Sequence, residues 1–186
     1  MENKEILVLK AAKEVFLKYG YVKVTMNDIA KQAGMSRPAL YLIYPGKEHI
    51  YNAVILYLAG ELSERIKRES AELSDPMDKL KKVFEVWTVE MHEILNRSEE
   101  AKELYQSTFP FAKESIKKTV LMFEKDIAAA LEQFPEERLN RNITRGELAH
   151  VFANGMSGFK QNAENSEDLK YKIDLLIKMS MNNKDE

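Results

Sequence analysis

Residues 25–48 read TMNDIAKQAGMSRPALYLIYPGKE, and the punctuation of this stretch decides the fold. Thr25 is a good helix N-cap, with Asp28 three residues on to return the bond, a relative of the capping box. Ile29, Ala30 and Ala33 follow at helical spacing until Gly34, which suits a left-handed turn. Ser36 caps a second short helix, and Pro38 sits in its first turn, where a missing N–H costs little. Met35 and Leu40 complete an apolar wedge, and Pro45-Gly46 breaks the chain again. Two short helices crossing at a glycine turn, with small residues where they meet, form a helix-turn-helix pattern.

A helix pair buried in an ordinary core would leave the outward face unexplained. Ser36, Arg37, Pro38, Ala39 and Tyr41 line the exposed N-terminal part of the second helix. Arginine reaches guanine O6 and N7 with two hydrogen bonds, while Pro and Ala meet thymine methyls. Tyr41 and Thr25 donate to phosphates, Asn27 is counted with them, and Lys47 is placed as a phosphate clamp. Tyr44 either adds a hydroxyl contact or only packs. So short a reading helix covers few bases, so specificity calls for two copies on a palindromic site.

The chain has 186 residues, of which 45 % are hydrophobic, enough for a real core. No apolar run approaches the roughly 18 residues that span a bilayer, and the start, MENKEILVLKAAKEVF, lacks a secretion signal's apolar core. The absence of cysteine excludes disulfides and thiolate metal sites and fits a cytoplasmic protein. Net charge is −2, yet residues 1–50 hold eight basic against five acidic side chains and the rest twenty against twenty-five. A basic head on an acidic body is the polarity expected if only the head meets phosphate. His49, His92 and His150 share no metal-ligand spacing, and no phosphate loop or nucleophile elbow occurs. No catalytic residue, metal or cofactor is expected.

No segment alternates with a period of two, so the chain reads as all-α with about nine helices. They are expected at about 3–19, from 25 to Gly34, from Ser36, at 47–70, and from Asp75-Pro76 to about 96. A shorter one opens at Ser98, and long ones run from Phe109-Pro110 to about 134, from Thr144 to about 165 and from Ser166 to about 181. Residues 1–47 are expected to form the DNA-binding domain and 48–186 a larger helical domain.

The stretch resembles the signature of the TetR (tetracycline repressor) family of transcriptional regulators, roughly T-x-x-x-I-A-x-x-A-G-x-S-x-x-x-L-Y-x-H-F-x-x-K-E. The matches are Thr25, Ile29, Ala30, Ala33, Gly34, Ser36, Leu40, Tyr41, Lys47 and Glu48. Upstream, Ala11-Ala12, Phe16 and Gly20-Tyr21 stand where the family has them, so the resemblance covers about residues 5–55. It implies a dimeric repressor of a double-stranded DNA operator, with an all-α body that binds a small molecule and pairs through its last two long helices. The family's His-Phe pair is replaced by Ile43 and Tyr44, which removes one phosphate donor. That departure keeps open a second reading, a ligand-sensing or interaction module that no longer binds specific DNA.

In the body, Phe84, Trp87, Met91, Tyr105, Phe109, Phe111, Met122 and Phe123 supply flat walls and adaptable sulfur for an effector cavity. The alternative for each is plain core packing; Trp87 stands apart because a buried indole N–H wants a partner. Glu90 and His92 either add polarity to the cavity or lie on a solvated face. Neither an acidic nor a basic cluster stands out, so the effector is expected to be apolar or aromatic. For the dimer, small residues on 149–162 permit close helix approach, which selects Ala149, Ala153, Met156 and Ser157. Leu169, Ile173 and Leu176 on the last helix complete that interface; the alternative is that both faces bury inside one subunit.

Overall fold

The computed structural model describes residues 3–105, 109–139 and 142–181. Among them are nine helices and no strand, only an isolated bridge between Leu139 and Met181. The all-α expectation holds. The helices are α1 (Lys4–Tyr19), α2 (Met26–Gln32), α3 (Arg37–Ile43) and α4 (Lys47–Ser70). Next, Pro76–Phe84, a π turn Glu85–Val89 and Glu90–Leu95 run on as one helix, α5. Then come α6 (Glu99–Tyr105), α7 (Lys113–Leu131), α8 (Arg145–Gln161) and α9 (Ser166–Ser180).

The chain divides into two compact units, Met1–Gly60 with Ile94–Thr119, and Glu61–Glu93 with Val120–Glu186. This division does not follow the boundary drawn at residue 47. The first part of α4 belongs with the head, and so does a segment from the middle of the chain.

In the first unit, Asn3 caps α1 by accepting from the Glu5 N–H, and the helix buries Val8, Ala12, Val15 and Phe16. Its core is built from Phe16, Ile29, Leu40, Ile50 and Tyr51, all fully buried. Tyr21 and Tyr51 lie edge to face at 4.8 Å, and Phe109 and Phe111 stack beside them at 5.3 Å. The Tyr51 hydroxyl donates to the Glu103 carbonyl at 2.7 Å, which ties α6 to α4. The Leu104 carbonyl is a second acceptor at 3.0 Å, and a buried phenol left without either would cost about 1–3 kcal/mol.

The second unit packs Leu80, Phe84, Ile127, Leu131, Phe152, Met156 and Leu169 around T-shaped contacts of Phe84 with Phe123 and Phe152. In the π turn the Glu90 N–H reaches back five residues to the Glu85 carbonyl. Val86, Trp87, Thr88 and Val89 are all buried there. A regular helix turns too quickly to bury four consecutive residues against one side, and the wider turn broadens the buried arc. Thr144 and Glu147 make both bonds of the expected capping box. Arg145 caps the other end of its loop, donating to the Leu131 and Phe134 carbonyls. Three bounds shift from expectation. A 3-10 turn at Pro110–Ala112 delays α7 to Lys113, α8 stops at Gln161, and Asn165, not Ser166, caps α9.

Two glycines carry positive φ, Gly20 at +78° and Gly34 at +65°. A Cβ at Gly20 would lie 2.6 Å from Glu103 Oε2, whereas one at Gly34 would meet nothing within 4 Å. Glu103 cannot move without loss, because its Oε1 accepts the Val22 N–H at 3.1 Å. Gly34→Ala should therefore cost only the backbone term, about 1 kcal/mol, and Gly20→Ala distinctly more, as read by denaturant unfolding. Equal losses would show that the Glu103 contact carries no energy.

Candidate nucleic-acid interface and effector cavity

The turn between α2 and α3 closes by local bonds. The Gly34 N–H donates to the Lys31 carbonyl and the Met35 N–H to the Ala30 carbonyl, a Schellman motif that needs left-handed Gly34. Ser36 then caps α3 by accepting from the Ala39 N–H. Leu40 points inward, fully buried, which turns Arg37, Pro38 and Tyr41 to solvent, with Ala39 half-exposed. The Arg37 guanidinium sits 5.5 Å from the Tyr41 ring centre and donates toward its hydroxyl at 3.4 Å. Tyr41 thus accepts from Arg37 and keeps its own O–H to donate. The pair sets a cation and a free hydroxyl donor side by side on the outward face.

Three of the expected contacts are engaged within the chain. Both donors of Thr25 are taken: its hydroxyl and its N–H reach Asp28 Oδ2 at 2.6 and 2.9 Å. The Thr25 hydroxyl bond, then the backbone bond, holds the Asp28 carboxyl below its usual range, so this cap stays charged at neutral pH. A phosphate would have to displace it. Lys47 is not a clamp. Its ammonium lies over the Tyr21 ring at 4.2 Å and donates to the Tyr21 and Val24 carbonyls at 2.7 Å and to Val22 O at 3.4 Å. A lysine has three N–H donors, and all are spent on this loop. Burial also pulls its pKa below the ordinary lysine value. Tyr44 is half-buried and packs with Ile43 on the head's core, and burial raises its phenol. Asn27 is exposed in the first turn of α2.

One outward residue escaped the sequence reading. Leu42 is 90 % exposed, more than any other large apolar side chain described. The signal was present in Leu40-Tyr41-Leu42-Ile43, where helical spacing lets Leu40 and Ile43 face the core and leaves Leu42 over.

The residues expected to line an effector cavity do not stay together. Phe84, Trp87 and Phe123 are buried in the second unit, with Trp87 and Phe123 ring centres 5.4 Å apart. Met91 and Met122 are half-buried. Phe109 is a correction, because it belongs to the aromatic cluster of the first unit. The Tyr105 side chain lies outside the described residues. Trp87 has the partner its indole required, donating to Asp126 Oδ2 at 2.8 Å, and Ser63 Oγ donates to the same oxygen at 2.6 Å. Glu90 is gripped by Arg65 through two bonds of 2.6 and 2.8 Å. His92 is buried rather than solvated. Besides a polar depression of about 890 Å³ around Glu132, Glu136 and Arg145, two more open among the described residues of this unit. One of about 360 Å³ has Phe84, Val89 and Ile173 against Lys81, Lys82 and Lys170; the other, of about 290 Å³, lies beside Asp126. Among the described residues no group of three His, Asp or Glu side chains is placed to hold a metal ion. No described helix is long and apolar enough to cross a membrane.

The expected dimer residues are also displaced. Ala149, Ala153, Met156, Leu169 and Ile173 are buried within the single chain, and Leu176 is half-buried, so they have little left to bury against a partner. The Ser157 side chain lies outside the described residues. The exposed apolar residues of the same helices are Val151 on α8 and Tyr171, Leu175 and Met179 on α9. A Cβ at Gly155 or Gly158 would meet nothing within 4 Å, so no close packing inside the chain requires these glycines.

Residues 8–54 match the sequence profile described as bacterial regulatory proteins of the tetR family. By sequence the chain is similar to the HTH-type transcriptional activator FasR of Mycolicibacterium smegmatis, 31 % identical over 80 residues, 43 % of this chain and 36 % of that protein. The alignments span only 36–40 % of the length of such relatives. In structure it is similar to a transcriptional regulator from Cytophaga hutchinsonii, with TM-score 0.72 and 22 % identity over 93 % of this chain and 94 % of that one. It is similar also to FadR from Bacillus subtilis in complex with stearoyl-CoA, with TM-score 0.65 and 17 % identity over 94 % and 96 %. The structural likenesses establish the all-α fold along the chain.

Lys47→Met keeps the aliphatic stem but strips three carbonyls of their donor. It should lower the unfolding free energy by about 1–3 kcal/mol in urea titration. A variant as stable as the parent but unable to bind DNA would return Lys47 to the phosphates.

Proposed function

We propose that this chain, which belongs to the TetR family of bacterial regulatory proteins through its residues 8–54, is a homodimeric, effector-responsive transcriptional repressor acting in the cytoplasm. The observation that carries the reading is the preorganised Arg37–Tyr41 pair on the outward face of a helix only seven residues long. α3 enters the major groove, where Arg37 reads a guanine edge and Pro38, Ala39 and Leu42 meet thymine methyls. Tyr41, Ser36 and Asn27 hold phosphates and set the register. Ile43 supplies no donor, so the head depends more heavily on Tyr41 and Arg37.

Two heads are required, because one short helix reads too few bases, and the half-sites of a palindrome lie about one helical turn apart, ~34 Å. Val151, Gly155 and Gly158 on α8 and Tyr171, Leu175 and Met179 on α9 each recur at three- or four-residue spacing, which makes one stripe per helix. We place the dimer contact there, with the bare glycines admitting the partner's helices. An apolar or aromatic effector binds in the second unit and shifts the population away from the DNA-competent state. The stearoyl-CoA held by the Bacillus subtilis FadR supports an effector with an apolar part.

Selection of bound duplexes from fragmented genomic DNA at two salt concentrations tests the DNA reading. A palindrome should be enriched, fade at high salt as phosphate contacts require, and be lost with Tyr41→Ala. Arg37→Ala should cost about 1–3 kcal/mol and relax one base position per half-site. Failure to enrich any site, with and without cell-extract small molecules, would favour the sensor module instead. Tyr171→Asp with Leu175→Asp should convert a dimer to monomers in sedimentation velocity and abolish operator binding. A dimer unchanged by both charges would move the interface elsewhere.

A further inference from the structure

The depression of about 290 Å³ in the second unit is lined by Ile66, Val83, Ala129 and Ala130, with Ser70, Lys79 and Asp126 among them. Its volume sits at the lower end of small-molecule sites, which run from ~300 to ~1,000 Å³. Two features of its polar groups stand out. Ser70 Oγ is buried with no hydrogen-bond partner among the described residues. Buried hydroxyls are almost always partnered, so an unpaired one beside a cavity marks a place where another group belongs. Asp126 carries the second feature. Both of its donors, Ser63 Oγ and the Trp87 indole, fall on Oδ2, at 2.6 and 2.8 Å. A carboxylate has acceptor sites on both oxygens, so Oδ1 keeps its acceptor capacity while the network on Oδ2 fixes its position.

The charges select among ligands. Lys67, which also lines the depression, is held by Glu64 at 2.6 Å. Asp126 also lies in the field of Lys67, and the charges of Lys67 and Lys79 are matched by those of Glu64 and Asp126, which leaves the site close to neutral. A charged ligand would surrender its hydration without a net countercharge, whereas a neutral donor-acceptor group loses less.

We infer that this depression is a binding site for a compact, uncharged molecule that carries an O–H or amide N–H on an apolar body, its donor on Asp126 and its acceptor on Ser70. The inference rests on the reading of the second unit as effector-binding and narrows the effector's chemistry. The apolar body lies on Ile66, Val83 and Ala130, and no long chain is accommodated.

Trp87 is the chain's only tryptophan, so a nitrogen-15 spectrum contains one indole N–H signal, and that proton is bonded to Asp126. Three probes of one shape suffice: cyclohexanol, cyclohexylammonium and cyclohexanecarboxylate. Cyclohexanol should move the indole signal saturably, and the two ions should not. Ser70→Ala removes one hydrogen bond and should weaken cyclohexanol about fivefold. Ala129→Leu, on the exposed rim, should block it while leaving the fold intact. Equal binding of all three probes, no shift with any, or cyclohexanol affinity unchanged in both variants would overturn the site. Operator binding is measured in the same samples at saturating cyclohexanol. A saturable shift with unchanged DNA affinity would uphold the site and sink its role as the effector site. Loss of the indole response with a normal operator footprint would sink the site and leave the regulator standing.

Discussion

Helices of seven residues do not hold themselves together in water, because nucleation costs more than two turns of hydrogen bonds return. Everything the head presents on its outer face therefore depends on the burial of Ile29 and Leu40 against Phe16, Ile50 and Tyr51. The aim of Arg37, Tyr41 and Leu42 is set by residues on the buried side. The caps at Thr25 and Ser36 trim the cost of the helix ends, but a cap contributes only about 1 kcal/mol. The apolar wedge supplies the larger share.

A second set of constraints holds the loop between α1 and α2. Lys47 gathers the carbonyls of Tyr21, Val22 and Val24, and Glu103 takes the Val22 N–H. Tyr51 in turn donates to the Glu103 carbonyl. This loop delivers Thr25 to the start of α2, so its tethers position the helix-turn-helix from behind. They also explain why a segment between 94 and 119 belongs to the head. Without Glu103, Leu104, Phe109 and Phe111, the aromatic cluster around Tyr21 and Tyr51 would face solvent.

The second unit follows a different logic. Its core is apolar, yet polar groups are threaded through it: His92 and the Ser63–Asp126–Trp87 network. Such groups add little to stability and much to shape, since each must be satisfied in one geometry. Arg65 gripping Glu90 and Glu69 holds the outer face of α5 to α4 in the same way. The arrangement fits the effector-binding reading proposed for this unit.

The sequence by itself determined the elements and the reading head. Thr25 with Asp28, Ser36 with Pro38, Asp75 with Pro76 and Thr144 with Glu147 mark helix starts correctly, because those bonds close within three residues. The outward character of Arg37 and Tyr41 was equally legible, since helical spacing assigns Leu40 to the core. Tertiary structure decided the rest. Lys47 finds carbonyls 23–26 positions away, Trp87 finds Asp126 39 positions away, and Phe109 joins Tyr21 rather than Trp87. On α8 and α9 the sequence offers two apolar stripes per helix. Periodicity shows that both exist, but only packing chooses Ala149, Met156 and Ile173 for the interior and leaves Val151, Tyr171 and Met179 outside. A helix repeats every 3.6 residues whatever it packs against, so its own sequence defines faces and its neighbours decide which one is buried.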